Sequence, residues 1–201
     1  PAYYTVIELW YKFFPPTEVS TRLISLIFYL LTVFLVYKLA SFSSTPGESE
    51  PTPGVLGQRL FGLNLFGLLS ALVVAVNPIF FAYAFEARNY TMFAYAATGS
   101  IYFLLRILAH PRGAIAHPGG GWLGNVVGFV LFSTLGIYTH YYMFFTLAAQ
   151  GLFILIWERK ILFKMIGLYA LVVILYLPWI PFLASQVTSV SESYWIGGID
   201  K

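Results

Sequence analysis

Residues 113–157 read GAIAHPGGGWLGNVVGFVLFSTLGIYTHYYMFFTLAAQGLFILIW, 45 consecutive positions without Asp, Glu, Lys or Arg. A bilayer core is crossed by about 20 apolar residues of helix rising about 1.5 Å each, so one span is too short to use up this stretch. It must turn, and the polar cluster Tyr138-Thr139-His140-Tyr141 is the natural corner. Spans are therefore predicted near 123–139 and 142–157. Uncharged windows at 60–85, 89–105 and 165–191 lie on either side. With the apolar run after Glu18 they predict further spans near 19–41, 57–77, 88–108 and 163–183. The last is expected to stop at Leu177-Pro178-Trp179-Ile180-Pro181, where two prolines end the helix and Trp179 suits the interface.

Composition agrees with the windows. Of 201 residues only 9% are charged and 59% are hydrophobic. A water-soluble domain carries roughly 25% charged residues, so this chain lacks the polar surface to cover itself and a soluble globular fold is excluded. The absence of Cys excludes disulfides, thiolate nucleophiles and Cys-ligated metals. The fold class predicted is all-α: a polytopic membrane helical bundle of about six transmembrane helices, forming a single domain over 1–201.

With six crossings both chain ends lie on one side. Lys38, Arg59, Arg106, Arg112, Arg159, Lys160 and Lys164 fall on the opposite side, and Lys12, Arg22, Arg88 and Lys201 on the side of the ends. The positive-inside tendency then makes both ends, the Tyr138 corner and the outer segment 184–201 extracytoplasmic. The connections Ser43 to Gly54 and His110 to Gly121, rich in Pro and Gly, read as irregular cytoplasmic loops. Gly119-Gly120-Gly121 lacks phosphate-loop spacing and follows no strand, so nucleotide binding there is rejected; no nucleic-acid partner is expected. Residues 1–16 are read as a short interfacial helix before the Pro15-Pro16 stop, with Thr5, Glu8 and Lys12 on one face and Glu8 and Lys12 in favourable i, i+4 order. Thr17 is placed to cap the first span, with Glu18 in its first turn.

Ionisable groups at a membrane edge are costly, so those not serving as cytoplasmic flanks mark places to look for function. Glu86 and Arg88 sit together between two predicted outer span ends, and His140 sits at the other outer corner. On a helix, i and i+2 diverge, which would give Glu86 and Arg88 separate partners. Two readings stand for the pair. Arg88 binds an anionic group such as a lipid phosphate while Glu86 orients it or meets a polar substrate; or both snorkel into headgroups, with Tyr83 and Tyr90 as the aromatic belt. A lone His among aromatics reads first as a structural residue, and with no second His or acid at ligand spacing no metal site is predicted. His110 and His117 lie in the cytoplasmic loop without nearby acids. Asn89-Tyr90-Thr91 is formally a glycosylation sequon, but its place at the start of a span argues against use.

Pro1-Ala2-Tyr3-Tyr4 leading to Leu9-Trp10, Arg22 at a span start, Asn77-Pro78, Glu86-Ala87-Arg88-Asn89-Tyr90, Tyr138-Thr139-His140-Tyr141-Tyr142, Gln150, Leu177-Pro178-Trp179-Ile180-Pro181 and Tyr194-Trp195-Ile196 recur in this order. In this the chain resembles the polytopic GT-C glycosyltransferases, in the bacterial branch similar to dolichyl-phosphate-mannose protein mannosyltransferases and lipid A aminoarabinose transferases. The resemblance implies a partial GT-C fold in a bacterial inner membrane. It also implies inverting transfer of a sugar from a polyprenyl-phosphate donor to an acceptor glycan, lipid or protein on the extracytoplasmic face, with no cofactor beyond that donor. It makes Arg88 the group that stabilises the departing phosphate, and Glu86 the group that positions Arg88 or the sugar hydroxyls. His140 and Tyr141 line the donor cavity, with Tyr90 beside them. Tyr3 and Tyr4 are open to sugar stacking or to interfacial anchoring. The base that activates the acceptor is expected on an acid upstream of Pro1, so no catalytic residue is expected within the chain, which is read as a fragment inactive alone. The competing classes are a transporter or flippase of a lipid or small solute and a non-catalytic lipid-binding homologue.

Overall fold

The computed structural model describes residues 2–43, 59–60, 63–109 and 121–185. The readings that concern Pro1, most of the Ser43 to Gly54 and His110 to Gly121 loops, and 186–201 lie outside the described residues. Helices dominate. In chain order they are α1 (Ala2–Tyr11), α2 (Glu18–Ser43), α3 (Leu65–Ala75), α4 (Pro78–Ala84), α5 (Tyr90–Ala109), α6 (Trp122–Thr139), α7 (Met143–Trp157) and α8 (Leu162–Tyr176). A minimal antiparallel hairpin, β1 (Arg59–Leu60) with β2 (Leu63–Asn64), precedes α3.

The all-α class holds, and among the described residues the candidate spans number four or five where about six were expected. Four helical stretches are long and apolar enough to cross a membrane: those beginning at Glu18, Tyr90, Trp122 and Arg159. A bent pair, α3 with α4, makes a possible fifth. The span expected at 57–77 starts later than expected and ends where expected. Strands β1 and β2 occupy 59–60 and 63–64, and Asn64 caps α3 by accepting from the Gly67 amide at 2.9 Å. The chain then breaks at Asn77-Pro78 and bends by 70°. Pro78 has no amide to continue the ladder, while Asn77 Oδ1 accepts from the Phe80 amide at 2.9 Å and starts a new helix with Pro at its first turn. The 142–157 span is an α7 of 15 residues. At about 1.5 Å per residue it reaches roughly 22 Å, short of a core about 30 Å thick. The Leu177-Pro178-Trp179-Ile180-Pro181 stop is also corrected, because the helical stretch runs on to Ser185. A 3₁₀ turn over Leu177–Trp179 absorbs the missing amide, the local adjustment that lets proline persist in apolar helices.

Packing is densest between α5 and α6, which run antiparallel. The joint is reciprocal. Gly99 of α5 receives the Phe132 ring of α6, and Gly128 of α6 receives the Phe103 ring of α5. Each glycine lies four residues from its own helix's phenylalanine, so both pairs share one face, and the two rings meet at 5.5 Å. Bilayer helices gain little by hiding apolar surface from lipid that is equally apolar, so close approach at small residues is what joins them. A polar tie adds to this: the buried Gln150 of α7 donates from Nε2 to Ser100 Oγ of α5 at 3.0 Å.

α1 lies against the start of α2 and against α6. Its Tyr3, Val6, Ile7 and Trp10 turn inward, while Tyr4, Thr5, Glu8 and Leu9 stay exposed, the i, i+3, i+4, i+7 pattern of an amphipathic helix. Trp10 Nε1 donates to Ser20 Oγ at 2.8 Å, and the Tyr11 hydroxyl bonds Thr21 Oγ1. The helix ends at Tyr11, before Lys12. Lys12 is thereby off the helix, and among the described residues it makes no ion pair with Glu8. The predicted Thr17 cap is present, its Oγ1 accepting from the Ser20 amide at 3.2 Å, and Glu18 pairs with Arg22.

Candidate functional site

The chain leaves α4 at Ala84 and enters α5 at Tyr90 through a non-helical turn that carries Glu86 and Arg88. The helical geometry that would part i and i+2 therefore does not apply. Arg88 Nε stands 3.5 Å from Glu86 Oε2, so the two carry each other's charge. The backbone tightens here as well, the Arg88 amide donating to the Glu86 carbonyl at 2.8 Å. Arg88's side chain remains 65% exposed, which screens the pair but leaves the guanidinium free to meet a ligand. Glu86 Oε2 is shielded from solvent and accepts no hydrogen bond. At 3.5 Å its contact with Arg88 is an ion pair without a hydrogen bond.

Two bonds hold this turn to the bundle. On one side Ser25 Oγ of α2 donates to the Arg88 carbonyl at 3.3 Å and pairs with the Tyr3 hydroxyl at 3.2 Å. On the other, Asn89 Nδ2 donates to the Thr139 carbonyl at the end of α6, at 2.9 Å. Both Ser25 and Tyr3 are buried, Tyr3 to 3% exposure within a cluster with Ile24 and Met92. Tyr3 is therefore a core pin that braces the turn, which replaces both of its expected roles, sugar stacking and interfacial anchoring. Tyr4, one position on, points the other way and is 71% exposed. Ser25 and Asn89 went unseen as site residues. The signal for Asn89 was its adjacency to Arg88, obscured by reading it as a sequon; its amide is engaged with Thr139 and Thr91 is buried.

The bond to Thr139 brings the second outer corner alongside. His140 ends α6 in extended conformation. Its ring lies 6.0 Å from Tyr90 and 5.4 Å from Phe93 on α5, and 4.6 Å from Tyr141 and 4.8 Å from Tyr142 on its own turn. Tyr83 closes the row against Tyr90 at 4.6 Å. The Tyr142 amide donates to His140 Nδ1 at 3.2 Å, which requires that nitrogen unprotonated and the ring proton on Nε2. Burial also holds the His140 pKa below its ordinary value. Tyr141, exposed, is held above the usual tyrosine pKa first by the Tyr142 hydroxyl beside it, so it stays a neutral hydroxyl donor. The five expected residues Glu86, Arg88, Tyr90, His140 and Tyr141 thus share one end of the bundle. Among the described residues no three of His, Asp or Glu gather as a metal site.

Two expected outcomes test this geometry. Asn89→Asp keeps an oxygen acceptor at the helix start but removes the donor to Thr139. It should lower stability by about 1 kcal/mol, as should Asn89→Ala, read by thermal unfolding in detergent; an unchanged midpoint for both would show the two turns are not joined there. For His140, protonation would turn Nδ1 into a donor facing the Tyr142 N–H. Its folded pKa lies below the unfolded one, so its contribution is full above the ordinary histidine range and is lost as pH falls through the folded value. Thermal midpoints of the wild type should fall more steeply below about pH 6.5 than those of His140→Gln; parallel curves would remove His140 as the source.

The arrangement defines an all-α, multi-helix protein of membrane-spanning composition, with the Glu86–Arg88 pair and an aromatic row at a single end. Compared with protein families, curated proteins and solved structures, the chain finds no match.

Proposed function

We propose that the protein is a membrane glycosyltransferase that moves a sugar from a polyprenyl-phosphate donor to an acceptor on the extracytoplasmic face. The observation that carries the reading is the joining of the Glu86–Arg88 turn to the His140–Tyr141 corner through Asn89 and Thr139. Its support is that a guanidinium, a carboxylate and neutral ring donors share one end of the bundle. These are the groups a sugar phosphate needs. In the transfer, the acceptor oxygen forms a bond to the anomeric carbon as the bond from that carbon to the phosphate oxygen breaks. The electron pair leaves on the phosphate, and the acceptor proton passes to the acid expected upstream of Pro1. Arg88 stabilises the charge growing on the phosphate, and its planar fork matches two phosphate oxygens. Glu86 accepts from a sugar hydroxyl and holds Arg88, while the His140 Nε2–H and the Tyr141 hydroxyl bind and orient the donor.

The bent pair α3–α4 favours a second reading, a lipid or solute transporter, since broken helices with capped inner ends build transport sites. Membranes from cells producing the chain within a full-length protein that carries the upstream acid separate the two when supplied with a radiolabelled polyprenyl-phosphate sugar. Transfer of label to a non-prenyl product, lost in Arg88→Ala, supports the transferase. Movement of intact donor across sealed vesicles without transfer supports the transporter and overturns the first reading.

A further inference from the structure

At the end of the bundle remote from Glu86, α5 finishes, α6 begins and α8 begins. Ile107, Trp122, Ile161, Lys164, Met165 and Leu168 line an apolar cavity there of about 240 Å³. Its floor is core: Ile107, Ile161 and Met165 are buried. Its rim is different. Lys164 is exposed and, among the described residues, makes no ion pair, and the Trp122 indole stands at the first residue of α6. Arg159 and Lys160 occupy the 3₁₀ turn just before α8, directly after Glu158. Arg159 Nε is occupied by the Leu155 carbonyl, and Arg106, beside Ile107 in the chain, donates to the Tyr102 hydroxyl. Lys160 and Lys164 are both exposed, and of the two it is Lys164 that lines the cavity and can meet an anion seated there.

A ligand that fits must be apolar where it enters the cavity and anionic where it meets Lys164. We infer that this is a binding site for an anionic phospholipid, with part of an acyl chain in the cavity and the phosphate on Lys164. Charge complementarity selects this occupant over a zwitterionic lipid, whose own ammonium would meet the Arg159–Lys160–Lys164 cluster. Basic pockets between helix ends on the cytoplasmic side recur as anionic-lipid sites, and the positive-inside bias assigns this end to that side. The lysine stem lies along the apolar wall while its ammonium reaches the headgroup level. The site is separate from the proposed transferase centre and does not rest on that reading.

Native mass spectrometry of the full chain in detergent micelles carrying equimolar phosphatidylglycerol and phosphatidylcholine tests it. One phosphatidylglycerol should be retained in preference. Lys164→Ala should cut that preference about fivefold, the effect of one basic residue at an anionic surface. Leu168→Trp, which fills the cavity, should reduce retention of both lipids. Lys38→Ala removes a cation of the same end that sits 5.9 Å from the Phe34 ring and does not line the cavity; it should change neither. Equal retention of the two lipids, an equal loss in Lys38→Ala, or displacement of the lipid by excess inorganic phosphate would each overturn the site. Should Leu168→Trp fail to fold by circular dichroism, the comparison of Lys164→Ala with Lys38→Ala still decides.

Discussion

In the full-length enzyme Arg88→Ala should reduce sugar transfer by about 10²- to 10³-fold, the loss typical when one donor to a developing oxyanion is removed. Its fall should sit in kcat more than in KM, because the phosphate gains charge as the sugar leaves and the guanidinium contributes most at that moment. Arg88→Lys keeps the charge and loses the two-pronged geometry, so it should recover only part of the rate. The turn itself should survive both changes. It is anchored through the Arg88 carbonyl to Ser25 and through Asn89 to Thr139, and neither bond uses the Arg88 side chain. Unfolding midpoints for both variants should therefore match wild type. Transfer near the normal rate in Arg88→Ala would remove Arg88 from the chemistry and, with it, the main support for the transferase.

Gly99→Ala and Gly128→Ala should each destabilise the bundle by about 1–3 kcal/mol, the range for overpacking a close-fitted interior. A Cβ at Gly99 would sit 1.9 Å from Phe132 Cδ1, and one at Gly128 would sit 2.6 Å from three atoms of the Phe103 ring. Alanine would otherwise favour the helix by roughly 0.5–1 kcal/mol over glycine, so the sign depends on whether the rings can yield. They are confined: Phe132 packs on Tyr95 at 5.0 Å and on Phe103 at 5.5 Å, so moving one ring presses the other. The clash wins. Chemical unfolding of the two variants in detergent checks this, and Phe132→Leu should relieve Gly99→Ala while costing stability by itself. The double glycine variant should not be additive, since its two sites share the Phe103–Phe132 contact. Stability equal to or above wild type in both single variants would show that α5 and α6 do not meet at these glycines.

Much of the outline was legible in the residues, and the failures are specific. The turn at Tyr138–Tyr141 was readable because an uncharged run of that length has no other way to remain in a bilayer. The bend at Asn77-Pro78 carried its signal in plain view, since Asn before Pro both caps and breaks a helix, yet hydropathy runs straight through it. The Leu177–Pro181 stretch misled in the opposite direction: a 3₁₀ turn carries the chain past the prolines. Tyr3 was misassigned because an aromatic on an amphipathic helix reads the same whether it faces headgroups or a neighbouring helix. The Glu86–Arg88 pairing was missed through an assumption of helical spacing where the chain forms a turn.

Scarcity of charge and the length of the uncharged windows determined, with no structure needed, that this is a bundle of apolar helices. In lipid every backbone N–H and C=O must be bonded within the chain, and helices do this from local sequence alone. The corner at Tyr138–Tyr141 followed from the same arithmetic. What only the tertiary structure decided is which faces and corners meet: Asn89 with Thr139, Tyr3 with Ser25, Gly99 under Phe132. Lipid and helix interior are equally apolar, so hydropathy does not tell a lipid-facing side chain from one packed on a neighbour. Contacts between residues 22, 33 or 50 positions apart depend on helix approach at small residues and on single hydrogen bonds, and no local periodicity records them.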